Sequence, residues 1–251
     1  MLATQTNSTS SSSSSERRLA GKVAIVTGSS RGLGAAIAKQ LAAEGAIVAV
    51  NYVNGADAAQ AVVAHIVDRG GQAHAFQADV AQRAQVFDLV DQVVKRWGRL
   101  DVLVNNSGVL SVGLLADVTE EEVDRLLAVN FKGTLWGIQA ASKALTSGGA
   151  IINVSSIAPR TAAPGAVDVL TKTAAKELGP RGIRVNSVAP GVIETDMADT
   201  LPAEFKAAAK AQTPLEHRFG TAEEVAQTVA FLASPQASWV TAQNIELAGG
   251  V

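Results

Sequence analysis

The run Thr27-Gly28-Ser29-Ser30-Arg31-Gly32-Leu33-Gly34 stands between a β-branched stretch, Val23–Thr27, and an Ala-rich helical pattern. Glycines placed between a strand and a helix bring main-chain amides up to an anion, and the helix dipole favours a pyrophosphate there. Gly28 permits the tight turn, Gly32 the close approach of phosphates, and Gly34 the packing of helix on strand. The expected ligand is therefore a dinucleotide. A site preferring the unphosphorylated cofactor carries an acid at the end of its second strand, to bind the ribose hydroxyls. Here that strand ends Val50-Asn51-Tyr52-Val53-Asn54, without an acid. Arg31 in the loop can pair bidentately with a 2′-phosphate instead, which points to NADP(H).

The elements around this loop are legible as an alternation of short β-branched runs and longer helical patterns from Lys22 onward, which implies a parallel sheet with helices on both faces. Strands are expected at Val23–Thr27, Ile47–Asn51, Ala73–Gln77, Val102–Asn105, Ile151–Val154, Arg184–Val188 and Asn244–Leu247. Most are nearly all apolar, as strands covered on both faces must be. Thr119 with Glu122 forms a capping box that opens a long helix running to about Leu145, and Thr221 with Glu224 does the same for a helix ending near Ala233. Residues 195–218, with Pro202 and Pro214, read as an excursion from the edge of the sheet, a place where lids form. The fold class is a single doubly wound α/β (Rossmann) domain of about seven strands over residues 19–251, preceded by a Ser-rich tail over 1–18 that cannot bury enough apolar surface to order.

Composition narrows the partners. The 251 residues are 47% hydrophobic and 18% charged with a net charge of −2, which leaves no basic stripe for nucleic acid and no uninterrupted membrane-length apolar run. Zero cysteines exclude disulfides and thiolate metal sites, and His65, His74 and His217 lack ligand spacing, so no metal is expected. The Ser- and Arg-containing tail is short and weakly patterned for a transit peptide, and a cytoplasmic location is expected.

From about Leu19 to Val251 the chain resembles a short-chain dehydrogenase/reductase, close to the 3-oxoacyl-carrier-protein reductase and glucose dehydrogenase-like branches. The loop Thr27 to Gly34 matches the family's TGxxxGxG. Asp79-Val80 resembles the pair that holds the adenine, and Asn105-Asn106-Ser107-Gly108 resembles the family's NNAG, with Ser for Ala. Asn130 and Ser155 match the active-site asparagine and the catalytic serine, while Pro190-Gly191-Val192-Ile193-Glu194-Thr195 resembles the segment that grips the nicotinamide carboxamide. The resemblance implies Gly28, Ser30, Arg31, Gly32, Leu33, Gly34, Asp79, Val80, Asn106, Ser107, Gly108, Pro190, Gly191, Ile193 and Thr195 as cofactor residues. It also implies a small carbonyl or alcohol substrate, lined by Val109 to Leu115 and the 195–218 excursion, and a homodimer or homotetramer built on the long helix.

One part of the family pattern is absent. A YxxxK pair places a phenol and an ammonium on one helix face, so that the phenol can protonate a carbonyl as hydride arrives. The only tyrosine of this chain is Tyr52, at the end of the second strand. About eight residues, a little over two helical turns, are missing between Ser155 and the stretch Ala166-Val167-Asp168-Val169-Leu170-Thr171-Lys172. Asp168 and Lys172 fall at the right count from Ser155 to replace the pair. Using them would turn the apolar stripe Val167, Leu170, Ala174, Leu178 by about 80° away from the sheet. Two readings stand: an NADP(H)-dependent oxidoreductase with impaired catalysis, or a catalytically silent NADP(H)-binding or assembly partner. Two smaller departures are Ala242 and Ala248, which stand where the family often has Gly and Asp.

Overall fold

The computed structural model describes residues 17–111, 115–157 and 162–251. Seven strands, β1 (Val23–Val26), β2 (Ile47–Tyr52), β3 (Gln72–Gln77), β4 (Leu100–Asn105), β5 (Leu145–Val154), β6 (Arg184–Pro190) and β7 (Asn244–Leu247), form one sheet in the order β3-β2-β1-β4-β5-β6-β7. Every pairing is parallel. The strand order reverses between β1 and β4, and the crevice at that switch point is where such sheets bind ligands.

Alternation along β1 shows how the sequence builds two cores. Ala24 and Val26 face one layer, with α1 (Gly32–Ala43), α2 (Ala56–Val67) and α9 (Ala222–Ala233). Val23 and Ile25 face the other, with α3 (Arg83–Trp97), α5 (Gly133–Ala144) and α6 (Ala162–Leu178). Period two sends successive side chains to opposite faces, so a strand covered on both sides must be apolar throughout. Ile25, Ile151 and Ile152 are fully buried, each contributing roughly 1.5–3 kcal/mol by transfer from water. The expected strands are all present, with β4 and β5 starting earlier and β6 ending later.

The long helix expected from Thr119 to Leu145 is not continuous. The Thr119–Glu122 capping box opens α4 (Glu120–Leu126) as expected, but Leu127–Lys132 is a π-helical segment before α5 resumes. A wider turn of this kind marks an inserted residue, commonly at a functional site. Asn130 lies within it. The excursion comprises α7 (Asp196–Asp199) and α8 (Ala203–Gln212), rooted where Ile193 bridges to Gly220.

At the opposite end of the central strands β1 and β4, Asp101 is buried and accepts from the Val23 amide, Arg99 and Lys22. The tail's last residues enter the fold through Arg18, which pairs with Glu44 and donates to Gln236. The serines of the tail lie outside the described residues.

Candidate functional site

Thr27 organises the crevice at the end of β1. Its Oγ1 accepts from the amides of Asn106 (2.9 Å) and Ser107 (3.0 Å), holding the end of β4 beside the Gly-rich turn. Asn106 in turn donates through Nδ2 to the carbonyls of Thr27 (2.8 Å) and Gly28 (3.2 Å). Gly28 has φ +61, and a Cβ there would stand 2.8 Å from Ser107 Oγ. A Cβ on Gly34 would lie 2.4 Å from the Gly28 carbonyl and 2.5 Å from Asn106 Nδ2, so the third glycine is demanded by helix-on-strand packing. Gly32, with φ +52, opens onto free space whose nearest atoms belong to the Thr195 side chain at 3.7 Å.

The cradle fits a pyrophosphate. Arg31 caps α1 with an extended backbone and no side-chain cap, and the first amides of a helix have no partner within it. Ser30 and Leu33 flank this turn, with Leu33 packed on the core. Asp79 turns its carboxylate back to the Ala81 amide (2.9 Å), and Val80 is buried against Gly133.

Asn51 is the residue that sequence reading passed over. It is fully buried, accepts from the Gly28 amide through Oδ1 (3.1 Å), and donates through Nδ2 to the carbonyls of Ala78 (3.0 Å) and Phe76 (3.3 Å). It therefore pins the Gly-rich turn to β3. A polar residue ending an apolar strand was the available signal, since buried amides must be paired. A second hidden chain runs from Asn105 to Asn153 (2.9 Å) and from Asn153 to Thr171 of α6 (2.9 Å).

Asn130 of the π segment binds Val109 twice, accepting from its amide and donating to its carbonyl, both at 2.9 Å. Two further side chains of α4 hold the same loop: Arg125 donates to the Leu110 carbonyl, and Glu122 accepts from Ser111 Oγ at 2.8 Å. The Thr119 amide and that hydroxyl keep the Glu122 carboxyl below the usual range. Of the expected substrate wall, 112–114 and the side chain of Leu115 lie outside the described residues. Ser155 follows β5 directly, its amide bonded to the Val188 carbonyl (2.7 Å), and Oγ donates to the Pro164 carbonyl in the first turn of α6 (3.3 Å). Ile157 is bonded to the Pro190 carbonyl and Gly191 to that of Leu247, so the 190–195 segment lies beside Ser155.

Three residues are not brought to this edge. Tyr52 is on β2, three strands from β5 in the sheet order, a separation on the order of 14 Å. Asp168 accepts from Ser187 Oγ (3.1 Å) and Asn244 Nδ2 (2.9 Å). Ser187 is in register with Asn153, two residues before Ser155, so Asp168 sits a step down the sheet. Lys172 is exposed. The stripe Val167, Ala174, Leu178 is buried against the sheet. The helix therefore keeps its own register with the sheet and does not slide to present Asp168 and Lys172.

A family model described as Enoyl-(Acyl carrier protein) reductase matches residues 28–251. An uncharacterized oxidoreductase of Methylorubrum extorquens is 48% identical over 246 residues, which take in 93% of this chain and 99% of that protein. This chain belongs to the short-chain dehydrogenase/reductase family. Its place within the family is the 3-oxoacyl-acyl-carrier-protein reductase branch: that reductase from Staphylococcus aureus is 44% identical over 241 residues, covering 92% of this chain and 98% of its own. Among solved structures, a short-chain dehydrogenase from Burkholderia cenocepacia in complex with NADP superposes with a TM-score of 0.89 at 41% identity, over 93% of this chain and 98% of that one. A blue fluorescent protein from a metagenomic library, in complex with NADPH, gives 0.87 at 39% identity over the same shares. The 246 aligned positions exceed 93% of this chain's 251 residues, so the Methylorubrum protein carries residues for which this short-chain dehydrogenase/reductase has no counterpart.

Proposed function

We propose that this chain is an NADP(H)-binding oxidoreductase for a small carbonyl or alcohol compound whose proton-transfer step is impaired. In this reading Gly28, Ser30, Gly32, Leu33 and Gly34 hold the pyrophosphate and Arg31 the 2′-phosphate. Asp79 and Val80 border the adenine. Asn106, Ser107 and Gly108 form the floor, and Pro190, Gly191, Ile193 and Thr195 hold the nicotinamide. The cofactor supplies hydride chemistry when bound. Ser155 and Asn130 are left to orient the substrate oxygen and the Val109 loop.

The observation that carries the reading is the placement of the one tyrosine, Tyr52, on β2, while Ser155 Oγ is given to a main-chain carbonyl of α6. A complete cradle then stands beside a site without a phenol. The test is a fluorescence titration with NADPH and NADH on the chain and on Arg31→Ala, followed by NADPH oxidation with a panel of ketones. Tight NADPH binding with feeble ketone turnover supports the reading; ordinary turnover overturns the impairment. Equal affinity for both cofactors overturns the assignment of NADP(H).

The second reading, a silent binding or assembly partner, is favoured by an apolar face left open on α4 and α6. Val123 of α4 and Leu127 of the π segment are exposed, and Val169 of α6 is 66% exposed; apolar side chains grouped on neighbouring elements mark a contact surface more than singly exposed ones do. A homodimer or homotetramer would bury them. Light scattering at micromolar concentration tests this, with a monomer as the contrary result.

A further inference from the structure

The guanidinium of Arg31 lies 3.9 Å from the carboxylate of Asp196, with the two side chains 79% and 74% exposed. Asp196 opens α7, three residues after Ile193, where the excursion leaves the sheet. That root is firm: the Glu194 amide donates to the Gly220 carbonyl (2.9 Å) and the Gly220 amide to the Val192 carbonyl (3.1 Å). Asp196 is therefore held near the Gly-rich loop by the scaffold, independently of the tip of the excursion. A groove of about 500 Å³ runs between α1, α2 and this segment, with Arg31, Lys39 and His65 supplying basic groups and Glu194, Asp196 and Glu223 acidic ones.

The geometry points to Asp196 as a specificity-determining residue that competes with the cofactor's 2′-phosphate for Arg31 and so restrains the preference for NADPH over NADH. The inference rests on the NADP(H) reading above. A 2′-phosphate carries close to two negative charges and offers a guanidinium a forked set of acceptors, so it displaces a lone, exposed carboxylate. It does so against the Arg31–Asp196 attraction and against its own repulsion from the displaced acid. An exposed pair of this kind is weak and is screened by salt. NADH presents a hydroxyl at the same place, and a neutral group neither needs Arg31 released nor is repelled by Asp196. Lys39, His65, Glu194 and Glu223 also act on the added phosphate charge, but they are the same in the parent and in the Asp196 and Arg31 variants, so they cancel in the comparison.

The experiment is a double-mutant cycle on the full chain: Asp196→Asn, Arg31→Ala and the double variant, each titrated with NADPH and NADH by fluorescence at low and high salt, with Asp196→Glu as the charge-retaining control. The expected result is a two- to five-fold tightening of NADPH in Asp196→Asn, roughly the range of an exposed ion pair, fading at high salt. NADH is unchanged, Asp196→Glu behaves as the parent, and the gain shrinks markedly in the Arg31→Ala background, where only the direct repulsion of the phosphate by Asp196 is left to remove. No change in NADPH affinity overturns the proposal, as does an equal gain for NADH or a gain that is undiminished without Arg31. A parent chain that binds both cofactors equally, with Arg31→Ala making no difference, overturns the NADP(H) reading itself and this inference with it.

Discussion

Ser155 Oγ donates to the main-chain carbonyl of Pro164 across 3.3 Å, joining the end of β5 to the first turn of α6. The two residues are nine apart, and in that interval the chain leaves the sheet and begins a helix whose apolar stripe is already in register with it. The interval holds neither a tyrosine nor a lysine, so the shortened connection leaves Ser155 without the pair that the family pattern places after it.

Ketone reduction should respond to that shortening more than to any point substitution. Inserting a family-like segment of about eight residues with Tyr and Lys between Gly165 and Ala166 should raise NADPH-dependent ketone turnover by about 10²–10⁴, the usual worth of a positioned general acid. Asp168→Tyr and Lys172→Arg should not. Steady-state rates on mass-verified chains decide it, and an ordinary rate from the parent chain would refute the expectation.

Asn51→Asp, which puts an acid into the end of β2, should damage the fold rather than turn the site toward NADH. The aspartate would aim a carboxylate oxygen at the Ala78 and Phe76 carbonyls now served by Nδ2, in a position with no solvent. A buried charge facing acceptors costs upward of about 3 kcal/mol. Urea unfolding should show this loss, along with weakened binding of both cofactors.

Ala242 has φ +61, where an L side chain is strained. Ala242→Gly removes that strain, while glycine's freer unfolded chain returns part of the gain, for a net stabilisation of about 1 kcal/mol. In a domain of this size the midpoint should rise by roughly 2–4 °C in a thermal melt.

Acid stability should depend on Asp101. Burial alone would raise its pKa, but the Arg99 and Val23 hydrogen bonds and the nearby Lys22 charge outweigh it and hold the carboxyl below its ordinary value. A group depressed in the folded state contributes fully above the unfolded value, about pH 4, and its contribution is lost as pH falls through the folded value. Asp101→Asn should therefore lower stability at pH 7 and flatten the decline below about pH 4, measured as urea midpoints against pH.

Local pattern alone marks the sheet and the Gly-rich turn, through apolar runs too short for anything but buried strands and glycines where only glycine turns; the missing pair shows only against the family pattern, with Tyr52 as the one tyrosine. Both capping boxes were legible for the same reason, each being a four-residue interaction. Tertiary structure decided the rest. The π-helical break at Leu127–Lys132 sets Asn130 against Val109, a contact that no periodicity within the helix announces. The end of β2 read only as a stretch without an acid, and the role of Asn51 emerged once the carbonyls of Phe76 and Ala78 came within reach of its amide. Asp168 held the right count from Ser155, but counting along a chain cannot say which face a helix turns inward; the burial of Val167, Ala174 and Leu178 turned it toward Ser187 and Asn244. The approach of Asp196 to Arg31, 165 positions apart in sequence, exists only because the bridge between Ile193 and Gly220 brings the excursion back over the loop.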